Sequence, residues 1–314
     1  MPKVSYLEIF KDALKLAWRN KYLWWFGFFI ALSEVLLSFE YSFEEEDYDP
    51  IKYQSLLDAY SLTSSAFILI SLAVFAAITF ILLAIDAFGR GALIHSLNET
   101  SENRPANFKI GSQAGRKNFW KIFSISILIG TFNLLSLIIL FAPVIFLFFT
   151  KSYIIGTLLG IIAVVIIIPL FFITAFLKIF GYLYAVAGKT SVWGSLENSY
   201  NLLLKNLKAT FTILLLLLVL NMILLFSFLI ILIPFVVIFL LIGGVLFLFL
   251  EKTGIIITAS VAGLLFFALM LSVKSIYTVF IQTIWLLFFR SIAKPEAPEK
   301  IGELAMEPKK IPEP

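Results

Sequence analysis

Residues 122–149, 154–187, 209–250 and 255–289 run almost without a charge. A helix crosses a bilayer core with roughly 20 apolar residues, so each run is long enough to cross at least once. Two further runs, 22–39 and 62–88, read the same way. The pattern predicts an all-α fold, a polytopic integral membrane helix bundle of six transmembrane helices. Residues 1–292 then form one transmembrane domain. Run 209–250 would reach about 60 Å as a helix, roughly twice the hydrocarbon thickness. Pro234 and the Gly243-Gly244 pair could divide it into two passes. Two passes would put the basic tail on the wrong side, so one kinked, tilted helix is expected. The runs ending at Phe149 and Phe289 are also overlong, which implies tilt or protrusion.

A second, shorter pattern precedes three of the runs. Ser5-x-x-Glu8 has the form of a capping box. Behind it Val4, Leu7, Phe10, Leu14 and Ala17-Trp18 form an apolar stripe opposite Glu8, Lys11, Asp12, Lys15 and Arg19. Val192, Leu196, Tyr200, Leu203 and Leu207 repeat the stripe before the fifth run, and Phe108 to Lys121 is a weaker version richer in Gly and Ala. All three stretches close on a basic–Asn element: Arg19-Asn20-Lys21, Lys117-Asn118-Phe119 and Lys205-Asn206-Leu207. A helix with an apolar stripe, basic residues and aromatics lies well among lipid headgroups. Trp18, Arg19, Lys117, Trp120 and Lys205 are therefore expected as interfacial anchors. The repeating unit is an interfacial amphipathic helix, a span outward, a turn and a span back, with a period near ninety to a hundred residues (about three units).

The connections alternate in charge. Lys3, Lys11, Lys15, Arg19 and Lys21 precede the first run, whereas Glu40, Glu44, Glu45, Glu46, Asp47, Asp49 and Asp58 follow it. Arg90, Arg104, Lys109, Arg116, Lys117 and Lys121 follow the second, and Lys189, Lys205 and Lys208 follow the fourth. Basic loops stay in the cytoplasm. Six spans with both termini cytoplasmic satisfy the rule, with the turns at Lys151 and Glu251-Lys252 outside. The first run is read as an uncleaved span, because no small-x-small cleavage site follows it cleanly. The tail 293–314, rich in Pro, Glu and Lys, is expected to be disordered and cytoplasmic.

Composition narrows the chemistry. The chain is 61% hydrophobic and 14% charged, against about 25% charged in soluble domains. Its net charge of +4 is scattered over short loops, which fits a topology signal and not nucleic-acid binding. There is no Cys and a single His, His95, which is expected in a cytoplasmic loop. Disulfides, thiolate metal sites, H-E-x-x-H and Cys-His pairs are thereby excluded, and no G-x-S-x-G elbow or phosphate loop is present. No enzyme, cofactor or metal is expected.

Ionisable residues inside spans are costly, so each is a candidate functional residue. There are four: Glu34, Asp86, Lys178 and Lys274. The last three fall at similar places in the three units, so Asp86 could pair with Lys178 or Lys274. Glu34 is expected alone in the outer half of the first span. The structural alternatives are that the lysines snorkel to headgroups and that Asp86 pairs with Arg90 one turn on. Asn133, Asn221 and Gln282 read as interhelical hydrogen-bond partners.

The opening Asp12-Ala13-Leu14-Lys15-Leu16-Ala17-Trp18-Arg19-Asn20-Lys21-Tyr22-Leu23-Trp24-Trp25-Phe26-Gly27 resembles the start of a broad set of uncharacterised prokaryotic multipass proteins. Gly89-Arg90-Gly91-Ala92-Leu93-Ile94, Gly115-Arg116-Lys117-Asn118-Phe119-Trp120 and Ser195-Leu196-Glu197-Asn198-Ser199-Tyr200 are similar to their later cytoplasmic elements. These proteins are akin to the membrane domain of some glycerophosphoryl diester phosphodiesterases. The resemblance implies a fold and a prokaryotic plasma-membrane location. It carries over no phosphodiesterase activity, because the soluble catalytic barrel is missing here. Two functions follow as expectations. One is transport or handling of a small molecule or lipid through a polar site at the four charges. The other is a non-transporting scaffold or assembly factor that binds lipid or partner proteins. The lipid bilayer is the expected partner in either case, with no nucleic acid.

Overall fold

A computed structural model describes residues 5–39 and 65–293, and every regular element among them is an α-helix. These are α1 (Tyr6–Arg19), α2 (Leu23–Phe39), α3 (Ser65–Ser101), α4 (Phe108–Phe149), α5 (Tyr153–Val186), α6 (Val192–Lys205) and α7 (Leu207–Ile292). The acidic connection after the first run, the first residues of the second run and the tail from 294 lie outside the described residues. Four helices are long and apolar enough to cross a bilayer, namely Leu69–Ser101 within α3, and α4, α5 and α7. Leu23–Leu37 is a shorter apolar helix.

The long helix α7 is two arms, not one rod. Glu251 sits at φ 49°, ψ −132°, a backbone conformation that side-chain-bearing residues rarely adopt. The arms fold back there: the Phe235 and Phe266 rings lie 6.0 Å apart, and Gly243 sits against Thr258. Residues 207–250 are one continuous helix through Pro234 and Gly243-Gly244, because no other residue leaves helical geometry. Lys151, at φ 59°, marks the turn between α4 and α5.

The amphipathic stretches differ in detail from the expectation. α1 and α6 are separate helices, but residues 108–121 are continuous with the rest of α4. All three asparagines nevertheless make the same bond. Asn20, Asn118 and Asn206 each donate from Nδ2 to the carbonyl four residues back, at Leu16 (2.9 Å), Ala114 (3.0 Å) and Leu202 (3.1 Å). The Leu202 carbonyl at the end of α6 also keeps the Asn206 backbone N–H at 3.1 Å, whereas at the end of α1 the side chain satisfies a carbonyl that has lost its helical partner. At the α1–α2 break the Trp24 indole caps a second one, Ala17 O, at 3.0 Å. The buried face of α1 is Ile9, Ala13 and Ala17, with the Phe10 ring 6.5 Å from that of Phe280. Leu7, Leu14 and Trp18 from the anticipated stripe are exposed. In α6 the buried face is Ser195, Ser199, Leu202 and Leu203, and Tyr200 and Leu207 lie outside it. Both apolar stripes are wider than one contact, so protein covers one edge and leaves the other open.

Packing divides the helices lengthwise. The half nearer the basic connections holds the core: Ala13, Phe26, Leu93, Leu97, Ile125 and Phe180 are all buried there. The half toward Lys151 and Glu251 exposes large apolar side chains along residues 69–81, 127–149, 153–173 and 222–273. Small residues let the first half close. Gly91 lies 3.4 Å from the Gly115 backbone across the α3–α4 seam, measured from where a Cβ would stand. At Gly27 that position is 2.4 Å from Ser275 O, so α2 and α7 approach without room for any side chain. Next to it Ser275 Oγ donates to Trp24 O at 2.5 Å.

Candidate functional site

Four helices bring charges to one place. Arg90 lies at the centre, inside α3, eleven residues before that helix ends. Its Nε donates to both Asp86 oxygens, at 2.9 and 2.8 Å. Its Nη2 donates to Glu34 Oε1 on α2 at 2.8 Å. The other Glu34 oxygen lies 3.4 Å from Lys274 Nζ on α7. The Glu34 carboxylate thus bridges two cations from two helices.

The fourth wall is α5. The Arg90 guanidinium stands 5.7 Å from the centroid of the Tyr182 ring, within cation–π range. The Tyr182 hydroxyl is 2.6 Å from Ser126 Oγ, whose one proton goes to Ile122 O, so Tyr182 is the donor. Lys178 lies one turn before Tyr182 on the same face, and Arg90, Asp86 and Glu34 all act on it electrostatically. Among the described residues no ion pair involves Lys178. The cluster therefore sets two carboxylates against three cations. Asp86 is buried at 6% exposure, whereas the Glu34 and Lys274 side chains keep 38% and 29%.

Two sequence expectations need correction. Glu34 is not alone and not at a different depth from Asp86. α2 runs antiparallel to residues 86–101 of α3 and not to the start of that helix, as the Tyr22 Oη–Thr100 Oγ1 contact of 3.1 Å shows at its other end. Arg90 and His95 are not loop residues, because α3 continues unbroken to Ser101. The pairing of Asp86 with Arg90 is observed, and Lys274 pairs with Glu34, not with Asp86. Sequence reasoning reaches Arg90 only as the i+4 partner of Asp86 and misses its central place between Glu34 and the Tyr182 ring. The available signal was its i+4 spacing from Asp86 within Gly89-Arg90-Gly91-Ala92-Leu93-Ile94, where both neighbours are small and the rest is apolar.

Measured along the helices, the cluster lies about 16 Å from Leu23 and about 31 to 38 Å from the ends of α3, α5 and the second arm of α7 at the far turns. It is nearer the basic end of the bundle. At that end Arg290 bonds Asn98 Oδ1 (2.7 Å) and Glu102, tying the end of α7 to α3. Lys121 Nζ bonds Thr190 O at 3.0 Å, tying α4 to the start of α6. Trp18, Arg19, Lys117, Trp120 and Lys205 are all exposed. Of the other polar residues, Asn221 accepts from Tyr277 across the α7 arms, Gln282 is buried, and Asn133 Oδ1 is buried without a partner among the described residues. Two clefts are apolar and apart from the charges. One, of about 530 Å³, lies between the α7 arms beside Phe235, Gly243 and Phe247. The other, of about 320 Å³, lies beside Phe29, Phe80 and Phe88 on the face of α3 away from Asp86.

Long apolar helices around a small set of paired charges define a helical membrane protein. No family model matches the chain. No curated protein matches it. No solved structure matches it either.

Proposed function

We propose that the protein is a six-pass plasma-membrane protein of prokaryotic type, with both termini cytoplasmic, that transports or otherwise handles a small molecule or lipid at the Arg90 cluster. The observation that carries this reading is the convergence of Glu34, Asp86, Arg90, Lys178 and Lys274 from four helices. Charges in a membrane bundle are expensive and are kept where they bind or move something. The resemblance to multipass proteins akin to the phosphodiesterase membrane domain supports the same topology. So does the recurrence of the Asn bond in three units, which favours a threefold hairpin repeat. Transporters are commonly built from such repeats, with the site where the repeats meet. The groups gathered here are paired charges from four helices, which favours the reading of a binding site.

The test is flux in proteoliposomes of the full chain across a panel of labelled solutes and short-chain lipids. Lys178→Ala is expected to lower the rate of the accepted substrate about tenfold or more, the loss of one charge-assisted contact. Lys15→Ala, on the exposed face of α1, is expected to leave it unchanged. A rate indifferent to Lys178 contradicts the reading. A second reading, a non-transporting scaffold, is favoured by the far half of α7, whose arms expose apolar side chains on most faces. It gains support if no member of the panel moves.

A further inference from the structure

We propose that the Arg90 cluster is an anion site for a phosphate-class group, and that the Glu34 carboxylate holds its place until the ligand displaces it. The inference deepens the proposed function and rests on that reading of the site.

Three observations carry it. First, among the described residues the charges do not balance: Arg90, Lys178 and Lys274 face Asp86 and Glu34. A surplus cation on a half-buried helix face costs free energy unless an anion joins it. Second, the surplus has an address. Lys178 has no ion pair among the described residues, yet its helix places it one turn from the Tyr182 ring on which Arg90 rests. Third, Glu34 already shows how an anion is held. Its two oxygens reach Arg90 Nη2 at 2.8 Å and Lys274 Nζ at 3.4 Å, which is the bridging geometry of a phosphate between two donors.

The two carboxylates are not equivalent. Asp86 is buried, lies one turn from Arg90 and takes both its bonds from Nε, so it fixes the guanidinium in place. Glu34 comes from a different helix and is the most accessible acid of the pair. Its contact to Lys274 is long. An incoming dianion would take over Arg90 Nη2 and Lys274 Nζ and add Lys178. It would then join α3, α5 and α7, one helix from each of the three units, while the freed Glu34 turned outward. The cluster lies toward the basic end of the bundle, where headgroups of that leaflet and soluble phosphate esters both arrive. The shared chemistry is the phosphate monoester.

The test uses the full chain in nanodiscs of neutral phosphatidylcholine. Dioleoylphosphatidic acid, dioleoylglycerol and, in solution, inorganic phosphate are titrated, with binding read by native mass spectrometry and thermal unfolding. Phosphatidic acid is expected to bind at least about tenfold more tightly than dioleoylglycerol. Glu34→Gln is expected to tighten it about tenfold, since the internal competitor is gone, and Lys178→Gln to weaken it by a similar factor. The Lys178 variant breaks no ion pair, so it keeps the test decisive if the Glu34 variant folds poorly. The same pattern with inorganic phosphate also supports the site and assigns a soluble source. Equal binding of phosphatidic acid and dioleoylglycerol, with inorganic phosphate unbound, overturns the proposal. So does an affinity indifferent to Lys178. Anion binding without flux would refute transport alone, and flux of an uncharged solute indifferent to both probes would refute the anion site alone.

Discussion

Arg90→Gln is expected to destabilise the protein by about 3–5 kcal/mol, the cost of removing one member of a buried ion pair. The reason is what stays behind. Asp86 is buried and both its bonds come from Arg90 Nε, so the substitution strands a carboxylate among apolar residues. Glu34 loses its shorter partner as well. Arg90→Lys is no remedy, because an ammonium cannot reach both acids with the planar spread of a guanidinium. The measurement is thermal unfolding in mild detergent, taken as a cycle with Asp86→Asn. The double variant is expected to recover part of the loss, since it removes the stranded charge. If Arg90→Gln melts with the wild type, the network is a surface feature and the site reading loses its basis.

Gly27→Ala is expected to be the second most damaging change, at about 1–3 kcal/mol, the range for overpacking a close contact. Helix propensity alone argues the opposite, since Ala is better than Gly in a helix by up to about 1 kcal/mol. Geometry decides. The added methyl would stand 2.4 Å from Ser275 O and 2.8 Å from Val279 Cγ2, and a backbone oxygen cannot rotate away. α2 and α7 must part. That strains the Ser275–Trp24 bond and draws Lys274 away from Glu34. The variant should therefore lose stability and weaken function together, as read by unfolding and by flux. Gly263→Ala makes the control, because no atom of the described residues lies within 4 Å of its missing Cβ.

The helical class was legible from the chain, because apolar runs of such length have few other uses. The reversal at Glu251 was legible too, as the charged pair Glu251-Lys252 interrupts an otherwise apolar stretch. What stayed hidden was register. Counting from the end of the first apolar run placed Glu34 far from Asp86. The close approach of Gly89 to Phe26 and Ile30 and the pairing of Tyr22 with Thr100 bring α2 down beside residues 86–101 of α3. No single-chain pattern encodes that offset, which arises from how two surfaces interlock. The pair of Arg90 with Asp86 was legible, but its reach to Glu34 stayed hidden for a related reason: a basic residue past an apolar run reads as a loop, whereas α3 continues through it and Gly91 packs on Gly115. The rotation of α6 likewise came from Ser195 and Ser199. Their hydroxyls bond Ser191 O and Ser195 O one turn back, which lets polar residues occupy a buried face.

The central claim is that these helices use hydrocarbon as their solvent, with the basic connections on one side. The chain has no cysteine, so single cysteines can be introduced one at a time without background. Cells carrying Lys117→Cys, Lys151→Cys, Lys205→Cys or Glu251→Cys would be treated with a maleimide that cannot cross membranes, before and after permeabilisation. Labelling of positions 151 and 251 in intact cells, and of 117 and 205 only after permeabilisation, is the predicted result. Labelling of position 117 together with 151 in intact cells would contradict it.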